Sequence, residues 1–65
     1  MMKSIEESYT LFKMIGMECV KEGLVDNADL CCQCVVEGQK LYEMTDLSLD
    51  SIVSQIKEKY MMCNN

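Results

Sequence analysis

The sequence predicts an all-α protein, a small antiparallel bundle of three helices. Three observations carry this expectation. Helix-start signals fall at Ser4, Asp26 and Ser48, 22 residues apart each time. Apolar residues follow each of them at intervals of three and four. No stretch alternates as a strand would, and the run Cys32–Val36 is too short and sits inside a longer helical pattern. Helices of equal length joined by short turns pack as antiparallel neighbours. The 65 residues form one domain, 1–65.

The first helix is expected over about residues 5–22. Ser4-Ile5-Glu6-Glu7 reads as a capping box, with Ser4 bonding forward and Glu7 bonding back. Ile5, Tyr9, Phe12, Ile15, Cys19 and Val20 supply its apolar side. Gly23 offers the left-handed residue that ends a helix, with Leu24 placed to fold back on Cys19. Asp26-Asn27-Ala28-Asp29 opens the second helix, about 27–44, with acidic side chains at its positive end, and Thr45-Asp46 close it. Ser48 caps the third, about 49–62, which carries Leu49, Ile52, Val53, Ile56, Tyr60 and Cys63.

The three are not equivalent. On a wheel of 100° per residue the apolar arc is roughly 100° wide on the third helix, 180° on the first and 240° on the second. A bundle needs one buried stripe per helix. The excess on the second helix, at Cys32, Val35 and Val36, is expected at a homodimer interface, since a chain this short buries only about 60% of its unfolded surface and gains from extra core. Gly38 lies inside the same arc. Glycine there costs about 1 kcal/mol against alanine, which makes sense where another helix approaches closely.

Composition excludes several functions. Eleven Asp and Glu face six Lys, with no Arg, for a net charge of −5. The lysines are scattered at 3, 13, 21, 40, 57 and 59, so no basic patch exists for direct nucleic-acid binding or for an anionic membrane surface. No apolar run approaches the roughly 20 residues of a membrane span. The acidic start, Met1-Met2-Lys3-Ser4-Ile5-Glu6-Glu7, does not read as a secretory signal, and the expected compartment is the cytoplasm, where thiols stay reduced. Histidine is absent and the carboxylates sit at caps or on exposed faces without converging on a serine, so no enzyme activity and no cofactor are expected.

Five cysteines are an odd count for a closed disulfide framework. Cys31 and Cys34 form a CxxC, the basis for an alternative reading as a thiol-based metal or redox protein. Against it, Cys31 falls a turn inside the helix, past the strongest part of the dipole, and a second ligand pair is missing. Small buried apolar side chains are the expected role, with all five thiols free and no metal bound. A further alternative assembles Glu7, Glu18, Glu22, Asp29 and Glu37 into an acidic face that imitates a nucleic-acid backbone.

What remains is a small acidic protein-binding module, an inhibitor or regulator whose partner is another protein and which acts by occupying that partner's surface. By analogy, short acidic chains of this kind include those encoded by phages and other mobile elements. Leu11 and Met14, at the edge of the first helix's apolar arc, and neighbouring Glu18 are the expected partner-binding residues. Met61 and Met62 are expected outside the arc of the third helix.

Overall fold

Ser4 starts the first helix as its chemistry requires. Its hydroxyl accepts from the Glu7 amide at 3.2 Å, relieving one of the orphan donors of the first turn. The computed structural model describes residues 4–61 and is an antiparallel three-helix bundle: α1 (Ile5–Lys21), α2 (Ala28–Met44) and α3 (Leu49–Ile56), the last continued by a π-helical turn over Lys57–Met61. Each helix packs on the other two. Met62, Cys63 and the expected end of α3 at residue 62 lie outside the described residues.

The return half of the capping box differs from expectation. The Ser4 amide donates to the Tyr42 hydroxyl at 3.1 Å instead of to Glu7, and that hydroxyl donates to Glu7 Oε1 at 2.8 Å. A buried side chain from the far end of α2 is therefore inserted into the cap. One turn further in, Ser8 Oγ donates to Gln39 Oε1 at 2.7 Å and Gln39 Nε2 donates back to the Ser8 carbonyl at 3.0 Å. These two exchanges fix the register of α1 against α2.

α1 ends in a Schellman motif. Gly23 takes φ 71°, a conformation glycine adopts without steric cost. Its amide reaches the Val20 carbonyl, and the Leu24 amide reaches the Cys19 carbonyl at 2.8 Å. The cap of α2 is Asn27, one residue past the expected Asp26, because the Asn27 side-chain oxygen accepts from the Leu30 amide at 3.1 Å. Ser48 caps α3 by accepting from the Ser51 amide at 3.2 Å.

The core is Leu11, Ile15 and Cys19 from α1, Cys34 and Tyr42 from α2, Ile52, Val53 and Ile56 from α3, and Met61. Two of these positions correct the sequence reading. Leu11 is fully buried, not on the edge of the surface. It forms an i, i+4, i+8 row with Ile15 and Cys19 that faces both other helices. Met61 is buried as well, whereas Tyr60 is only half-buried. A regular helix would have placed Tyr60 one turn after Ile56. The wider π turn, bonded i to i+5, advances the core position to residue 61.

At Gly38, side chains of both other helices reach the α2 backbone. A Cβ there would collide with Ile15 Cδ1 and would lie 3.8 Å from Ile56 Cγ1. The close approach inferred from a glycine inside the apolar arc is present, with α1 and α3 both meeting α2 at this point.

Candidate functional site

Placing Leu11, Ile15 and Cys19 inward turns the other half of α1's apolar arc outward. Ile5, Tyr9, Phe12 and Val20 are all exposed, and with Gly16 they follow an i, i+4 or i, i+3 row about 100° from the buried one. The exposed row carries no charged residue, and the inward face joins half-buried Ser8, Met14 and Glu18 to the buried Leu11, Ile15 and Cys19. Tyr9 and Phe12 stack with ring centroids 6.3 Å apart, and the Lys13 ammonium sits 5.0 Å from the Tyr9 ring centre, a cation–π contact at the rim.

α2 continues this surface. A groove of about 360 Å³ between α1 and α2 is lined by Phe12, Gly16, Val25, Ala28, Cys32 and Val35, with Cys19 and Cys31 in its floor. No charged side chain lines it. Cys32 is exposed and Val35 half-buried in the groove, and Val36, one turn along α2 from Cys32, is exposed outside its lining. The three residues expected at a dimer interface thus share one side of the protein with an aromatic row from α1 that the sequence reading did not assign to it. The signal was present in the sequence. Ile5, Tyr9, Phe12, Gly16 and Val20 keep a helical row of their own, separate from the Leu11–Ile15–Cys19 row.

The residues expected to bind a partner are not all together on a surface. Leu11 is in the core, which removes it. Met14 and Glu18 line a second groove, about 360 Å³, between α1 and α3, beside Met17, Val53 and Lys57. Burial acts to raise the Glu18 carboxyl, but Lys57 and Lys21 overcome it and leave its pKa below the ordinary value. Lys57 Nζ lies 3.3 Å from Oε1 and Lys21 Nζ 3.4 Å from Oε2. Glu37 is likewise 3.7 Å from Lys40, and Glu7 accepts from Tyr42. Three of the five carboxylates of the supposed acidic face therefore have a lysine or tyrosine on them, which blunts the resemblance to a phosphate backbone.

The thiols do not form the constellation a CxxC suggests. Cys34 is fully buried, Cys31 is half-buried and donates to the Leu24 carbonyl, 3.1 Å away, and Cys19 from α1 lies against both. Burial, reinforced by the Cys31 and Cys34 thiols, pushes Cys19 up to about 12, and burial also raises Cys34. Both thiols are held protonated and are hence poor nucleophiles. The four cysteines among the described residues are unbridged, and none of those residues forms a group of three or more metal-ligating side chains suited to an ion. Cys63 is outside the described residues. No described helix is long and apolar enough to cross a membrane.

No protein-family model, curated protein or solved structure matches the chain.

Alkali tests this arrangement. Cys19, Cys34 and Tyr42 all have pKa values raised by burial, so their unfolded forms ionise first. The stabilisation is complete below the unfolded thiol value, near 9, and is lost as pH rises toward about 12. Urea midpoints are expected to drop steeply from pH 8 to pH 11, with Cys19→Ala flattening the slope even though it lowers the starting value. A midpoint independent of pH over that interval would contradict the buried, neutral thiols.

Proposed function

We propose that the protein is a non-catalytic protein-binding module, an inhibitor or regulator that works by covering a surface on another macromolecule, and that its principal contact surface is the α1–α2 face. One observation carries this reading. α1 has two apolar stripes, and one of them, with a stacked Tyr9–Phe12 pair, is outside. Aromatic residues contribute large contact areas at little entropic cost and are enriched where proteins meet. A contiguous apolar face on a monomer marks an interaction site more often than chance placement. The charged rim keeps the rest of the molecule dispersed, and the net charge of −5 disfavours indiscriminate association.

A photoreactive phenylalanine analogue placed at residue 12 tests the reading in the cells that make the protein. Irradiation is expected to give adducts with protein at position 12 and few at position 58, an exposed site away from this face. Equal yields at the two positions, or none at position 12, would remove the α1–α2 face as the contact surface.

A further inference from the structure

We infer that the occupant of the α1–α2 face is a second copy of this chain, docked two-fold so that two α1–α2 layers close a four-helix core with an α3 on each outer side. The inference rests on the reading of that face as a protein contact surface and names its partner, so that the regulator acts as a dimer and meets its target through surfaces outside this contact.

Layer geometry is the first argument. α1 and α2 have the same length, 17 residues each, and lie antiparallel in register. α3 covers one side of the pair by way of Ile52, Val53 and Ile56, while the other side presents the groove. Two such layers stacked on their open sides make the arrangement of a four-helix bundle. Gly16 helps. A Cβ added there would meet nothing within 4 Å, so the groove floor is open to a ridge from the other layer.

Area is the second argument. Ile5, Tyr9, Phe12, Val20, Val25 and Val36 are each between 49% and 87% exposed. At those exposures the six side chains present on the order of 700 Å², before Ala28, Cys32 and Val35 are added. A standard stable interface takes about 800 Å² from each partner. The exposed apolar area on this side thus approaches what a dimer buries per partner, on a chain that gains from added core.

Charge is the third. Two copies bring −5 to −5, so a self-contact must be neutral at its centre. The groove is lined without a charged residue. By helix position both signs occur around the rows, Glu6 and Lys13 beside the α1 row and Asp29 beside the α2 row, with Lys40 and Glu43 at the C-terminal end of the α2 row. A rim of mixed sign can pair with its own two-fold image. The groove holding Met14 and Glu18 lies between α1 and α3, outside the contact, and stays open on each subunit.

Sedimentation equilibrium of the full chain under reducing conditions, across micromolar concentrations, is the test. The expected mass is twice that of the chain. Phe12→Glu and Val36→Glu, both at exposed positions, are expected to keep the helical circular dichroism and weaken dimerisation on the order of a hundredfold. Val20→Glu serves if either fails to fold. Met17→Glu, exposed beside the other groove, should leave the dimer intact. A monomer throughout, or a dimer indifferent to all three face substitutions, overturns the inference. A monomer whose residue 12 still gives adducts with a different polypeptide overturns the second copy and leaves the contact face standing. Absence of adducts removes both.

Discussion

Leu11→Lys is expected to unfold the protein. Leu11 is fully enclosed between α1's neighbours, and no described acidic side chain is among the buried residues to receive a cation there. Removing the leucine alone would cost about 2–5 kcal/mol. Burying an unpaired ammonium adds several more. A domain of this size has about 5 kcal/mol in total, so far-UV circular dichroism should show most of the helix lost at room temperature. Met14→Lys, in the open α1–α3 groove, should retain it. The sequence alone suggests that both substitutions leave helicity intact, so a Leu11→Lys protein with an unchanged urea midpoint would return Leu11 to the surface.

Gly38→Val is the second large effect. The new Cβ collides with Ile15 Cδ1, and the two methyl groups then crowd a site already bounded by Ile56. Overpacking of this kind costs about 1–3 kcal/mol, and a β-branched side chain recovers only part of glycine's poor helix propensity. The expected loss is about 1–2 kcal/mol by urea denaturation. Ile15→Val, which deletes the colliding Cδ1, supplies the discriminating cycle. In that background Gly38→Ala should stabilise by up to about 1 kcal/mol, the helix-propensity gain. In the parent, Ile15 must first be displaced within the core. Additive behaviour of the two substitutions would mean that α1 does not lean on Gly38.

These two residues also show what was legible in the sequence. Signals confined to a few neighbouring residues were readable: the Ser4 and Ser48 caps, the Gly23 ending and the three-helix count. Gly38 was readable because glycine inside an apolar arc has one common physical reason. Leu11 was not. Periodicity gives the width of an apolar arc but not which part of it faces in, and an arc of roughly 180° holds two stripes. The choice between Leu11–Ile15–Cys19 and Tyr9–Phe12–Val20 is made by where α2 and α3 stand, information that no window of α1 contains. Met61 escaped for a related reason, because a change in helix pitch shifts the phase without altering the apolar pattern. Of the contact face, the Cys32, Val35 and Val36 side was visible as an excess. The α1 side was hidden because its residues had been spent on the core.

Tyr42 has a consequence for the order in which the chain assembles. Its hydroxyl joins Ser4 across 38 residues, the longest span among the hydrogen bonds that bind α1 to α2. Closing a flexible loop of that length costs about 3 kcal/mol beyond the fixed term, which one hydrogen bond cannot offset. The Gly23 turn, then the Cys19 contacts with Cys31 and Cys34, then the Gln39–Ser8 pair, and last the tyrosine latch, is the order expected from increasing span. The beginning of α1 is then the region that opens most readily in the native state, and Ile5 and Tyr9, at that end, belong to the part of the surface whose shape is set by the final step of folding.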